Sequence, residues 1–211
     1  MSDKVGKFIV IEGGEGVGKD AQIDRLKAEF SDRDIEYTWD PGRTPVGEEI
    51  RQIFLSDRDI DMAIETEIYL LAASRTELLR QVVRPALAHG RHVISNRFVL
   101  STMAYQIYGR GREDLLPLIE RVNRFVLQEV LPDLYIFLDV PPAVSLARVR
   151  SRARGSDRIE KEGLDFYEKV HAGYLRALFD RPHVVIDGSR SVEEVHHEIK
   201  QEILKVIDYP F

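Results

Sequence analysis

Lys19 is the lysine of the run Gly13-Gly14-Glu15-Gly16-Val17-Gly18-Lys19-Asp20, a spacing suited to holding phosphate. Glycines let backbone N–H groups curl round phosphate oxygens, and a helix starting behind them adds the positive end of its dipole. Lys19 would then reach the β- and γ-phosphates of a nucleoside triphosphate, as in the motif G-x-x-x-x-G-K-[ST]. The last position of that motif is a hydroxyl for Mg²⁺, and here it is Asp20. The plain alternative, a Gly-rich turn with a surface lysine, requires neither this many glycines nor the lysine. The run therefore points to a nucleoside triphosphate and raises a question about its metal.

The surrounding pattern supplies the context the motif requires. The apolar run Phe8-Ile9-Val10-Ile11 precedes it as a buried strand, 8–12, and a helix follows over 19–30 with Ile23, Leu26 and Phe30 on one face. Further strands are expected at 35–38, 92–95, 134–140 and 183–186. Helices are expected up to about residue 55, then over 65–88, 115–131, from Pro142, over 164–179 and over 192–206. Strands alternating with helices mean a parallel sheet covered on both faces, about five strands in all. Ligands on such sheets bind at the carboxyl ends of the strands, where Glu12, Asp40, Asn96 and Arg97 fall.

Bulk properties narrow the classes. A chain of 211 residues, 44% hydrophobic and 31% charged, can bury one α/β core, and without repeats or linkers it reads as a single domain over 1–211. A net charge of −6 disfavours a nucleic-acid partner. The absence of cysteine excludes thiol catalysis and Cys-based zinc sites. No apolar run approaches the roughly 20 residues of a membrane span, and the first residues lack the pattern of a signal peptide. The expectation is a cytoplasmic protein.

Four further constellations add to the first: Leu70-Leu71-Ala72-Ala73-Ser74-Arg75; Asn96-Arg97-Phe98 followed by Ser101-Thr102-Met103-Ala104-Tyr105-Gln106; the Arg148, Arg150, Arg152, Arg154 cluster; and Asp157-Arg158-Ile159-Glu160. In this order and spacing, over about 7–199, they resemble the thymidylate kinases, nucleoside monophosphate kinases that convert dTMP to dTDP. The resemblance implies a three-layer α/β/α P-loop NTPase fold with a mobile lid at about 148–160. It also implies ATP and Mg²⁺, and a homodimer; a buried intramolecular face explains the long apolar segment 65–88 equally well. Gly13, Gly14, Gly16, Val17, Gly18 and Lys19 would hold the donor phosphates. Arg75 and Arg97 would hold the acceptor's phosphate, which guanidinium forks match in shape. Glu15 would sit near the acceptor's sugar hydroxyl. Arg152, Arg154 and Arg158 would belong to the lid, with Arg154 put forward as catalytic. Asp40, Leu71, Ser101, Tyr105 and Gln106 would line the acceptor site, Gln106 reading an amide-like base edge.

Departures from the family cluster at the site. Asp20 replaces Ser or Thr, Asn96 replaces Asp, Trp39-Asp40 replaces Arg-Glu, Arg43 replaces Gly, and Leu71 replaces a Phe that stacks on thymine. A carboxylate at a helix N-terminus gains roughly 0.3–1 kcal/mol. Against a phosphate oxygen about 4 Å away it loses on the order of 4 kcal/mol at an effective dielectric of about 20, so Asp20 needs a cation between. Three readings follow. Asp20 could ligate Mg²⁺ while Asn96 gives up the neighbouring acid, leaving the summed charge unchanged. The chain could be an impaired or regulatory homologue that binds nucleotide without efficient transfer. Or Asp20 could be an introduced substitution.

Overall fold

The structure is a computed structural model and describes residues 5–56, 62–151 and 158–208. Its centre is β1 (Phe8–Glu12), five residues all buried. A strand buried on both faces can carry an unbroken apolar run, as in parallel sheets. β1 lies between β3 (His92–Asn96) and β4 (Leu134–Asp139); β2 (Ile35–Trp39) and β5 (His183–Asp187) complete a parallel sheet of order β2-β3-β1-β4-β5. The register sets Ile11 beside Asn96 and Trp39 beside Asn96. The ends of β1, β2 and β3 therefore meet on one rim.

Each face of the sheet has its own core. Ile9, Ile11, Ile94 and Ile136 pack under α1 (Lys19–Glu29) and α9 (Val192–Ile207), through Ile23, Leu26, Val195 and Ile199. Phe8, Val10, Val93 and Phe137 pack on the opposite face against α3 (Ile64–Leu78), α6 (Leu116–Leu127) and α8 (Leu164–Leu178). Alternation along each strand thus assigns its side chains to the two layers. α2 (Pro45–Leu55) begins with Thr44, whose side chain accepts from Gly47 N at 3.1 Å, and with Pro45 at a favoured first position.

The expected three-layer arrangement is present, with local differences. The helix expected over 65–88 is α3, a wider π turn at Leu79–Val83, and α4 (Arg84–Ala88). Pro85 has no N–H for Gln81, and its ring would press on that carbonyl in a regular helix; the wide turn lies just ahead of it. The helix expected to reach 131 stops at Leu127, where Gln128 takes φ 53°. A helical segment not anticipated from the sequence, α5 (Val99–Thr102) continuing as a π segment over Met103–Gly109, follows β3. It is buried on nearly every side, so it carries no apolar stripe to reveal it. α8 packs closely on it at Gly173, where a Cβ would come within 2.6 Å of Tyr108 Cβ. α7 (Pro142–Arg150) leads into the expected lid. Arg152 and Arg154 lie outside the described residues.

α9 closes the sheet with a capping box: the Ser191 side chain accepts from Glu194 N, and the Glu194 side chain accepts from Ser191 N. Ser191→Ala should lower unfolding free energy by about 1 kcal/mol, read as a shifted urea midpoint with an unchanged slope. A loss under about 0.3 kcal/mol would mean that the cap adds little beyond the packing of Val195 and Ile199.

Candidate active site

The loop after β1 holds Gly13, Gly16 and Gly18 at φ 148°, 75° and 97°. Gly16 has two reasons to lack a side chain: its positive φ, and a Cβ position 2.4 Å from the Ser145 carbonyl oxygen. The loop delivers Lys19 to the first turn of α1, where the side chain folds back. Its Nζ donates to Gly13 O at 2.8 Å and to Gly14 O at 2.7 Å.

A second cation reaches the same carbonyl from β3. Arg97 lies just past the strand with φ 69°, a conformation uncommon for a residue with a side chain and often found at functional sites. Its guanidinium donates to Gly13 O (3.1 Å), Ser101 Oγ (3.0 Å), Tyr174 OH (2.9 Å) and Tyr105 OH (3.2 Å), and pairs with Glu15 at 2.5 Å. Below it Glu12 is wholly buried, accepting from Phe98 N (2.9 Å) and Ser101 Oγ (2.7 Å). Burial pushes the Glu12 carboxyl upward, and Arg97 opposes that shift. Gly13, Glu15, Lys19, Arg97, Ser101 and Tyr105, singled out from the sequence, are therefore one connected group. Tyr174 belongs to it as well. No local signal could flag Tyr174, since its partners lie more than 70 residues away.

Arg75 occupies a different part of the rim. Its Nε pairs with Asp40 at 2.6 Å and its Nη2 donates to Thr102 Oγ1 at 2.8 Å, while the guanidinium lies over the Phe98 ring. Both Arg75 and Asp40 are buried; burial raises the Asp40 carboxyl, and Arg75 opposes the rise. The expected pairing of Arg75 with Arg97 at one phosphate is therefore not preformed: each guanidinium has its own carboxylate. One turn back on α3, Leu71 lines the cleft, and a further turn back Glu67 accepts from Gln106 Nε2 (3.0 Å) and Arg158 Nη1 (2.6 Å). Glu67 was missed from the sequence, although 67, 71 and 75 keep a spacing of four along an apolar helix.

These groups surround a cleft of about 950 Å³, lined by the start of α1 with Lys19 and Asp20, and by Trp39, Asp40, Leu71, Arg75, Asn96, Arg97, Ser101, Tyr105 and Gln106. At its rim Asn96 Nδ2 donates to Asp20 Oδ1 at 2.7 Å. Asn96 Oδ1 is buried without a partner among the described residues. Mg²⁺ is usually held by one or two carboxylates together with substrate phosphates and waters, and the exposed Asp20 carboxylate at the cleft rim is a donor that fits it. The departures at 39 and 43 also answer each other. Arg43 stacks on the Trp39 ring, Trp39 Nε1 donates to Glu48 at 2.9 Å, and Arg43 pairs with Glu36 at 2.8 Å.

A phosphate-binding loop at the end of the central strand, facing a second set of buried cations across one cleft, defines a P-loop protein built for two phosphorylated ligands. The family profile described as Thymidylate kinase matches residues 11–199. The chain is 40% identical over 205 residues to a thymidylate kinase of Shewanella frigidimarina, covering 94% of this chain and 93% of that one. It is 40% identical over 207 residues to one from Pelotomaculum thermopropionicum (96% and 95% covered) and 38% over 201 residues to one from Kosmotoga olearia (93% and 95%). The chain belongs to the thymidylate kinase family. Among the described residues no helix is long and apolar enough to cross a membrane.

Burial lowers the Lys19 amine to about 7, and neighbouring Arg97 pushes in the same direction. Between about 7 and the ordinary value of 10.5, the unfolded chain binds a proton that the folded chain lacks. Lys19 thus makes stability rise with pH across that window. A polyphosphate beside Lys19 favours the protonated amine, so at pH 8 ATP binding should take up roughly half a proton or more per nucleotide. Calorimetry in buffers of different ionisation enthalpy reads this directly. The uptake should vanish in Lys19→Met, and near-zero uptake in the unaltered chain refutes it.

Proposed function

We propose that the protein transfers the γ-phosphoryl group of ATP to a pyrimidine deoxynucleoside monophosphate, turning dTMP into dTDP. The observation carrying this reading is the single cleft that joins the Lys19 loop to the Leu71–Gln106 wall, with Arg97 among its lining residues. A phosphate oxygen of the acceptor attacks the γ-phosphorus while the bond to the β,γ-bridging oxygen breaks, and ADP leaves with that electron pair. Such transfers depend mainly on alignment and on stabilising charge on the moving oxygens. Lys19 and the 13–19 backbone hold the donor phosphates. Arg97, released from Glu15 and Gly13 O, holds the acceptor's phosphate. Glu15, freed in the same exchange, faces the sugar. Arg75 and Asp40 hold the wall against which the acceptor lies, and Ser101, Tyr105 and Gln106 complete it.

Mg²⁺ would supply neutralisation of the charge that develops on the donor phosphates. Asp20 is its protein ligand in this reading, and Asn96 holds the Asp20 carboxylate. The lid arginines Arg152 and Arg154 are assigned to the transferring phosphate. The protein acts in the cytoplasm as a homodimer, with nucleotides rather than nucleic acid or membrane as its partners.

Two substitutions test the assignments. Asp20→Thr alone should lower turnover, measured as ADP release with dTMP at limiting Mg²⁺, by about tenfold, equivalent to about 1.4 kcal/mol of barrier. Adding Asn96→Asp should restore most of it. A tenfold rise in Asp20→Thr would show that Asp20 hinders transfer. Leu71→Phe should lower the KM for dTMP about three- to tenfold, since aromatic stacking adds about 0.5–1.5 kcal/mol beyond burial; an unchanged or higher KM would place the base elsewhere.

A further inference from the structure

α3 and the helical segment 99–109 run antiparallel across the cleft and are tied by two polar rungs. Arg75 reaches Thr102, and two turns earlier on α3 Glu67 reaches Gln106. Leu71 lies midway between the rungs on the α3 side and lines the cleft. The Glu67 rung differs in kind from the other. Glu67 is 1% exposed and holds two donors, Gln106 Nε2 on Oε2 and Arg158 Nη1 on Oε1. Paired with the Arg158 guanidinium, the carboxylate acts here as an acceptor only. The Gln106 side chain, itself buried, has two faces of nearly equal shape, an amide nitrogen that donates and a carbonyl oxygen that accepts. Facing Glu67, only the nitrogen is tolerated. The oxygen is thereby left for the cleft, and it has no partner among the described residues.

We propose that Glu67 is a positioning residue for base selection: it fixes the Gln106 amide so that the cleft presents an acceptor oxygen to the base edge. This rests on reading the Leu71–Gln106 wall as the acceptor's base site. An acceptor there pairs with the N3–H of an imide such as thymine or uracil. Cytosine offers a bare ring nitrogen at the same place, and two acceptors face each other with neither satisfied. Sites built around one buried polar partner reject an analogue that leaves it unpaired far more strongly than sites that sort by size. Glu67 never touches the base, and its effect is to deny Gln106 the flipped orientation. Arg158, stacked on the Phe54 ring at 5.3 Å, holds the Glu67 carboxylate in place and so keeps that denial in force.

The test uses Glu67→Gln in the full chain. Glutamine at 67 offers both an oxygen and an N–H₂, so Gln106 can turn either way. Trp39, the single tryptophan, lines the cleft, and its fluorescence gives dissociation constants for dTMP and dCMP without ATP. ADP release gives kcat/KM for each. The preference for dTMP over dCMP should fall about tenfold or more in Glu67→Gln, by both measures. A parallel loss for both monophosphates, with the ratio unchanged, would make Glu67 a structural strut only and overturn the proposal. Should that variant fail to fold, Gln106→Leu removes the reader and leaves the Glu67–Arg158 pair intact; the same loss of ratio is expected, and an unchanged ratio overturns the proposal. If the unaltered chain itself turns over neither monophosphate, or does not prefer dTMP, the reading of the cleft fails and this inference with it.

Discussion

The Gly13 carbonyl is the point on which the site depends. Lys19, Arg97 and the Tyr174 hydroxyl all donate to it, from the first turn of α1, the end of β3 and the middle of α8. Three elements distant in sequence are thus brought to one oxygen. Two largely buried cations need negative partners, because desolvating an unpaired charge costs several kcal/mol. Here the partners are loop carbonyls and Glu15, which occupy the guanidinium and amine as phosphate oxygens would. The cost of assembling the cations is met during folding, so a nucleotide exchanges partners with them rather than gathering them. The lowered Lys19 amine belongs to the same balance: carbonyl dipoles compensate a full charge only in part.

The Arg75 side of the cleft depends on a related constraint. Arg75 lies at the core of the helix layer, and Asp40, Thr102 and the Phe98 ring are arranged around it. Removing one partner of a buried pair leaves the other charged and unpaired, which costs more than the pair contributes. The Asp40 loop is therefore committed to its place, and Thr44 and Pro45 start α2 directly after it. Trp39 and Arg43 brace that loop from outside. Neither residue follows the family pattern, yet Arg43 at 43 has an aromatic ring to lie on because Trp39 stands at 39. An exposed contact of this type adds about 0.5–1 kcal/mol, enough to hold a loop whose core anchor is already set.

Much of this was legible in the sequence, and unevenly so. The strands announced themselves because a sheet buried on both faces requires unbroken apolar runs, as in Phe8-Ile9-Val10-Ile11. The phosphate loop did so because its glycines and lysine have fixed offsets. Arg75 and Arg97 were visible as charges where apolar residues belong. What stayed hidden depends on tertiary contact. The 99–109 segment is buried nearly all round, so it shows no period. Tyr174 joins the site only through the packing of α8 on that segment. Glu67 kept helical spacing with Leu71 and Arg75, but a lone acid near a helix start reads first as a favourable charge at the dipole's positive end. Its meaning comes from Gln106 and Arg158, 39 and 91 residues on.

Asp20 shows how a local rule can fail without the site failing. Alone beside a donor phosphate it is repelled, and the helix dipole offsets only a fraction of that repulsion. The Asn96 amide bonded to it answers a different need, since it fixes where the carboxylate points. Had Asn96 been an acid, two carboxylates would have met at 2.7 Å, and one of them would have had to hold a proton. Neutral Asn96 therefore leaves Asp20 as the one full negative charge of this pair, with its second oxygen at the exposed rim of the cleft. The two departures are consistent only when taken together. Either one alone would change the charge of the pair, which the two together keep at a single negative unit.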